Sequence, residues 1–289
     1  WTSHPFEPPT RTIAMEYFTI AQSMVSERVC VLTGAGISLA SGIPTYRTAA
    51  GAWARSDPIT DQQFKQSERM RARYWGRSFV GWPLAERAQP NETHLTLAEW
   101  YRNGLINDCI TQNVDRLHQR AGLSQSIDLH GRLDRVVCLH CGQFTHRSQW
   151  QQVLADANPF LIGLTAEFKP DGDADLPSEW IDQISVPSCH RCGGVVMPDV
   201  VFFGGNIPKS VSEQGLAAVR SCDLLMILGS SLQVYSGLRL CKLALDHGAT
   251  VIVVNPGVTR ADALPCVFKR EPIETFIEHV KAALRAGVT

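Results

Sequence analysis

Three uninterrupted apolar runs, in Arg28–Thr33, Asp223–Leu228 and Thr250–Val254, each stop abruptly at a small or amide residue. A strand that is apolar on both sides must be covered on both faces, which is the situation of a strand inside a parallel sheet flanked by helices. Ile106–Gln112, Val200–Phe203 (VVFF) and Cys266–Phe268 are further strand candidates. Apolar residues at helical spacing in Thr12–Ser26, Val114–Gln119, 211–220, 237–247 and 272–285 separate or follow these runs. The alternation predicts an α/β chain built on a doubly wound, Rossmann-like parallel sheet.

The residues just past each strand matter more than the strands themselves. Open parallel sheets bind ligands beyond the carboxyl ends of their strands. Here those ends carry Gly34-Ala35-Gly36, Gln112-Asn113, Gly229-Ser230-Ser231 and Asn255-Pro256-Gly257. A Gly-rich turn between strand and helix lets backbone N–H groups approach a pyrophosphate. Yet Leu39 replaces the third glycine of the usual dinucleotide fingerprint, and no acidic strand end follows at the usual distance. Taken alone, Gly34–Gly36 fits an ordinary tight turn as well as a phosphate loop. Four such ends on one rim point to a dinucleotide lying across the sheet edge.

The second constraint is covalent chemistry. Cys138 and Cys141 form one Cys-x-x-Cys pair, Cys189 and Cys192 another, each followed by glycine. Four thiolates can close tetrahedrally on zinc, with no position left for water or substrate, so the ion would be structural. The intervening chain is longer than the roughly 15–20 residues of common ribbons. Closing the longer loop costs only about 0.8 kcal/mol more, small beside zinc binding. His140 and His190, inside the knuckles, are expected to be solvated. The domains divide accordingly: 12–47, 105–130 and 198–289 form the Rossmann-like unit, 48–104 a helical insertion, and 131–197 a zinc-binding module with little apolar core. Trp75, Trp82 and Trp100 fall on helical segments and are read as packing residues.

Several functions are excluded or left without support. A net charge of −1 with no Lys/Arg block argues against a nucleic-acid partner. No apolar run approaches the roughly 20 residues of a spanning helix, which argues against a membrane partner. Cys30, Cys109, Cys222, Cys241 and Cys266 are scattered through apolar runs, as buried thiols in a reducing compartment are. Asp171, Asp173 and Asp175 imitate a calcium loop, but Leu176 and Asp182 stand where Gly and Glu are required, leaving a polar turn. The start at Trp1 suggests a processed form, which leaves the compartment open: mitochondrial matrix if eukaryotic, cytoplasm if bacterial. A monomer is expected.

His130, before Gly131 in SIDLHG, is the natural general base near neutral pH. In isolation a His before Gly is more often a satisfied turn residue than a catalyst. Its company, Asn113 and Asp115 at a strand end on the same rim, favours the base.

The ordered set TGAGIS (33–38), SGIPTYR (41–47), TQNVD (111–115), LHG (129–131), the two cysteine knuckles, MPDVVFFGG (197–205), GSSLQVYSG (229–237) and NPG (255–257) resembles the sirtuins, NAD-dependent protein lysine deacylases, over essentially the whole chain. RYWGRSFVGWP (73–83), PDGD (170–173) and PDVVFFG look most like the mitochondrial sirtuin 4 branch of class II. The resemblance implies NAD as co-substrate, one structural zinc, and acyl-lysine proteins or peptides as partners. Gly34, Ala35, Gly36, Ile37, Ser38, Ser41, Gly42, Ile43, Pro44, Tyr46 and Arg47 would form the cofactor-binding segment. Gln112, Asn113 and Asp115 would hold nicotinamide and its ribose, Asn113 and Asp115 acting with His130 in catalysis. Gly229, Ser230, Ser231, Asn255, Pro256 and Gly257 would hold phosphates and the adenosine ribose.

In the implied chemistry the acyl oxygen of a modified lysine attacks the ribose and expels nicotinamide. His130 then deprotonates a ribose hydroxyl that takes up the acyl group. The peptide would add as a strand between 203–205 and 232–235, touching Phe203, Gly204 and Val234. Tyr74 and Arg77, spaced to share a helix face, would read a carboxylate on the acyl chain, so succinyl, glutaryl or methylglutaryl groups are expected over acetyl. Thr45 and Gly205 depart from residues common in the family, Gly205 bearing on peptide placement. A mono-ADP-ribosyltransferase and a non-catalytic zinc-ribbon module are the alternatives.

Overall fold

The computed structural model describes residues 11–45, 58–164, 168–169, 173–174 and 176–287. In chain order its strands are β1 (Val29–Thr33), β2 (Asp108–Thr111), β3 (Ile127–Asp128), β4 (Gly131–Cys138), β5 (Phe144–His146), β6 (Phe168–Lys169), β7 (Asp173–Ala174), β8 (Val196–Val200), β9 (Leu224–Leu228), β10 (Thr250–Val254) and β11 (Val267–Lys269). Its helices are α1 (Arg11–Ser26), α2 (Asp61–Gln66), α3 (Glu68–Arg87), α4 (Glu92–Arg102), α5 (Leu117–Arg120), α6 (Arg147–Ala157), α7 (Ser178–Ile181), α8 (Lys209–Arg220), α9 (Tyr235–Asp246) and α10 (Ile273–Gly287).

Six strands pair in the order β11-β10-β9-β1-β2-β3, all parallel. Strand side chains alternate between faces, and both faces are covered. Val31, Met226, Leu228, Ile252 and Val254 pack with Met24, Leu97, Trp100, Phe276 and Val280, from α1, α4 and α10. Cys30, Leu32, Leu225, Ile227, Val251 and Val253 pack with Val219, Leu238, Cys241 and Ala244, from α8 and α9. The doubly wound α/β architecture is therefore as expected. The uninterrupted apolar runs have their cause in this double cover, each buried side chain contributing roughly 1.5–3 kcal/mol.

The VVFF run differs from expectation. Val200 ends β8, which pairs antiparallel with β4 in a three-stranded sheet ordered β5-β4-β8, and Val201–Phe203 leave it as loop. These residues are apolar because they line a cleft and an aromatic cluster, not because they lie in the main sheet. Pro198 is tolerated because β8 is an edge strand.

The helical excursion divides in two. α4 packs on the main sheet, while α2 and α3 join the cysteine module in a third core containing Phe64, Trp75, Phe79, Trp150, Leu154, Ile181 and Phe202. Gly76 permits this contact: a Cβ there would meet Ile184 Cδ1 at 2.1 Å. The tryptophans Trp75, Trp82 and Trp100 are all buried packing residues, as expected. Among the described residues no helix is long and apolar enough to cross a membrane.

Candidate active site

The chain steps outward from β1 to β2 and β3 on one side, and from β9 to β10 and β11 on the other. β1 and β9 are therefore the neighbours at which the winding reverses, and the crevice beyond their carboxyl ends is where a ligand fits. There the two strand ends interlock. Gly34 N donates to Leu228 O at 3.0 Å and Gly36 N to Gly229 O at 2.9 Å. A Cβ on either Gly34 or Gly36 would lie 2.8 Å from the 229–230 backbone, and Gly229 itself has φ +65°. These glycines are required by the meeting of two turns, which is a sufficient reason for GAG without any ligand.

At the end of β2 the polar cluster ties into the same turn. Asn113 Nδ2 donates to Gly34 O and to Ser38 Oγ, both at 3.1 Å. Ser38 Oγ donates to Asp115 Oδ2 at 2.7 Å, and Leu117 N donates to Asp115 Oδ1 at 2.9 Å. Ser230 Oγ donates to Gln112 Oε1 at 2.6 Å, joining β2 to β9 across β1. From outside, Asn91 Nδ2 holds Ile37 O at 2.7 Å and Ser41 Oγ at 3.0 Å, while its Oδ1 caps α4. Beneath lie His94 and His118, their rings edge to face at 5.0 Å, with His118 Nε2 3.0 Å from Thr33 Oγ1. Burial holds both neutral, pushing His94 down to about 3 and His118 to about 4. Sequence reasoning missed Asn91, His94 and His118. The N-cap pattern at Asn91 was visible, but its reach to Ile37 was not.

His130 lies in the turn between β3 and β4, directly before β4. Its Nδ1 lies 3.1 Å from Gln112 O, and its Nε2 lies 2.8 Å from Ser236 Oγ. A carbonyl oxygen can only accept, so Nδ1 carries the ring proton and Nε2 is the bare acceptor. Burial lowers the imidazole's pKa, opposed by the Gln112 carbonyl, which favours the charged form. Gly131 explains the His-Gly pair. It has φ +86°, and a Cβ would stand 2.2 Å from Asp199 O, so only glycine lets β4 leave the ring in this direction.

These elements surround one cleft of about 860 Å³. Its wall includes Gly34, Ala35, Gly36, Gln112, Asn113, His130, Gly229, Ser230, Ser231, Asn255, Pro256 and Gly257. Tyr74, Phe203, Gly204, Gly205 and Val234 also line it, as does Thr45. Ile37, Ser38 and Asp115 stand behind this wall, Ser38 and Asp115 being bonded to each other and Ser38 to Asn113. Ser41, Gly42, Ile43 and Pro44 are not part of the wall, which the chain rejoins at Thr45, and Gly42 closes the intervening turn at φ +82°. Tyr46 and Arg47 lie outside the described residues. Arg77 is buried, at 4% exposure, and is not part of the wall. Leu133 and Ile207 line the cleft without having been singled out, and Val114, Val200 and Ser236 do so from within the quoted motifs without having been given a role in the site.

The four cysteines come together at the far end of β4. Sγ–Sγ distances are 3.5 Å for Cys138–Cys192 and 3.8 Å for Cys141–Cys189, and all four sulfurs lie within 4.8 Å of one another. Thiolates about 2.3 Å from a shared ion stand roughly 3.8 Å apart in a tetrahedron, so the set fits zinc. The two knuckles match: Gly142 N donates to Cys138 O at 3.0 Å, Gly193 N to Cys189 O at 2.8 Å, and both glycines have φ +71°. His140 and His190 are exposed, and Cys30, Cys109, Cys222 and Cys241 are buried free thiols with Cys266 half-buried.

Comparison with known proteins agrees with this geometry. The sequence profile of the Sir2 family matches residues 34–236. An NAD-dependent protein deacetylase of Bordetella bronchiseptica is 46% identical over 255 residues, 88% of this chain and 93% of that protein. NAD-dependent protein deacetylase 1 of Streptomyces coelicolor is 44% identical over 264 residues, 91% of this chain and 87% of its own. Among solved structures, a Sir2 enzyme superposes with TM-score 0.72 at 30% identity, covering 94% of this chain and 99% of that one. A Sir2 protein holding a p53 peptide and NAD+ superposes with TM-score 0.69 at 26% identity, over 94% and 98% of the two chains.

Proposed function

The chain belongs to the Sir2 family, and from that premise we propose that it is an NAD-dependent protein deacylase acting on acyl-lysine side chains. The observation that carries the reading is the neutral His130 ring, its Nε2 acceptor on the wall of the cleft beside the amide cluster. The cleft volume, about 860 Å³, lies within the range of cofactor sites, and its amides, serines and glycines offer donors without a competing acidic cluster. Bound there, NAD supplies a nicotinamide–ribose bond to break and an ADP-ribose to receive the acyl group.

The chain's own residues do the rest. Gln112, Asn113 and Asp115 would orient the nicotinamide ribose, and the glycine and serine turns at 34–38 and 229–231 would hold the phosphates. Asn255, Pro256 and Gly257 would hold the adenosine ribose. His130 takes a proton at Nε2, and the Gln112 carbonyl on Nδ1–H stabilises the imidazolium that results. The peptide would lie between Phe203–Gly204 and Val234, supported by the presence of both segments in the cleft wall. Cys138, Cys141, Cys189 and Cys192 would hold a structural zinc, remote from proton transfer.

For the acyl group, an acidic or branched acidic chain of the succinyl, glutaryl or methylglutaryl type is proposed over acetyl, with the likeness to the sirtuin 4 branch. Tyr74 on the cleft wall supports this; Arg77, one helical turn on, is buried outside that wall. The bacterial relatives favour the cytoplasm over the mitochondrial matrix as the compartment. A panel of acyl-lysine peptides, read by nicotinamide release and by mass of the acyl-ADP-ribose product, tests the reaction and the acyl preference. Fast acetyl removal unaffected by Arg77→Met would refute the acidic preference. Label from NAD ending on protein would point to ADP-ribosyl transfer, and no nicotinamide with any peptide would refute the enzyme.

A further inference from the structure

The first turn of α9 closes on the catalytic ring in a way that proton removal by His130 does not itself require. α9 has no side-chain N-cap. Ser236, in that turn, instead directs its hydroxyl to His130 Nε2 at 2.8 Å. One residue on, a Cβ at Gly237 would stand 2.6 Å from Gln112 Nε2, so the helix presses against the residue whose carbonyl holds the other ring nitrogen. Gln112 O, 3.1 Å from Nδ1, fixes the tautomer; Ser236 fixes the direction of the bare lone pair. Both His130 and Ser236 line the cleft.

We propose that Ser236 is a positioning residue for the general base: in the free protein its hydroxyl stands where the reacting hydroxyl will stand, donating to Nε2 and holding the ring ready to accept a proton. This rests on the assignment of His130 as the base. The geometry supports the role because an imidazole bonded at one nitrogen can still swing about Cβ–Cγ, whereas bonds at both nitrogens together with the Cβ attachment fix its plane. A serine hydroxyl is also free to turn and yield Nε2 when another hydroxyl arrives, which a fixed N–H donor would not be. Burial keeps the ring neutral so that the lone pair is available.

Two readouts test it. In the NAD-free protein, the 15N resonance of His130 Nε2 is expected at a hydrogen-bonded position and should move toward that of an unbonded imidazole nitrogen in Ser236→Ala. No movement would overturn the proposal. With NAD and an acyl peptide, nicotinamide expulsion precedes the proton removal assigned to His130, so labelled nicotinamide exchange reads the earlier step and product release the later. The ratio of deacylation to exchange is expected to fall roughly tenfold in Ser236→Ala, the worth of one hydrogen bond. Ser236→Thr, which keeps the hydroxyl, should recover it to within about threefold. A parallel fall in both steps, an unchanged ratio, or a threonine variant as poor as the alanine would each overturn the role. His130→Ala separates this from failure of the underlying reading: if it deacylates normally, the base assignment falls and Ser236 with it.

Discussion

The sheet rim and the cysteine module are stabilised by different means, and the contrast tells which residues to expect in each. At the rim, backbone packs on backbone: Gly34, Gly36 and Gly229 are within contact distance, and the side chains added are short amides and hydroxyls. Such a site is rigid because the sheet beneath is buried on both faces. In the module a three-stranded antiparallel sheet shares its core with α3, with four sulfurs gathered at the end remote from the main sheet. Chemistry therefore sits where order comes from the backbone, and the metal where order must be added.

The sharpest way to break this comparison is to remove a sulfur. Cys138→Ala or Cys192→Ala should release the ion, a loss on the order of 10 kcal/mol of site energy. The expected outcome is loss of amide-exchange protection in 131–200 and along α3, with β1, β9 and β10 still protected. Protection lost equally across both regions would show that they are one cooperative unit. Next in size, His130→Tyr should lower deacylation by roughly 10²–10⁴-fold with an unchanged urea midpoint. A lowered midpoint would make the ring a packing residue.

A smaller effect separates the histidines of the rim from each other. His118 and His94 are buried and neutral, and the folded protein resists protonating them until pH about 4 and about 3. The unfolded chain takes those protons near pH 6.5, so acid drives unfolding. Their contribution is complete above about pH 6.5 and is lost as pH falls toward the folded values. Between pH 7 and 5, His118 alone should account for about 2 kcal/mol of lost stability. His118→Gln should flatten the pH dependence of the urea midpoint; an unchanged slope would mean the ring is protonated when folded. Smallest of all, Asn91→Ala removes a cap and two bonds to the Gly34–Ser41 turn. It should cost about 1–2 kcal/mol in the urea midpoint and weaken NAD binding measured by calorimetry, with zinc content unaffected.

Legibility followed the range of the forces involved. β1, β9 and β10 were readable because double burial leaves polar residues only at a strand's ends. The cysteines were readable because metal geometry demands a fixed local spacing. β3, two residues long, left no pattern, and its place at the sheet edge is set by pairing with β2. Val200–Phe203 misled because an apolar run registers burial without saying against what. Ser236 and Asn91 act on His130 and Ile37 through space, so only the folded chain reveals them. The GAG turn shows the reverse hazard: its glycines answer first to a neighbouring turn.

The cysteine module leaves the sheet at His130–Gly131 and returns at Val200–Val201, and the two passages are fastened together by Val201 N donating to His130 O at 2.8 Å. Any swing of one lobe against the other must therefore twist the very stretch of main chain from which the imidazole hangs. The residue proposed as proton acceptor is thus also the one at which module and sheet are stitched together, so the aim of its ring is tied to how those two passages are held.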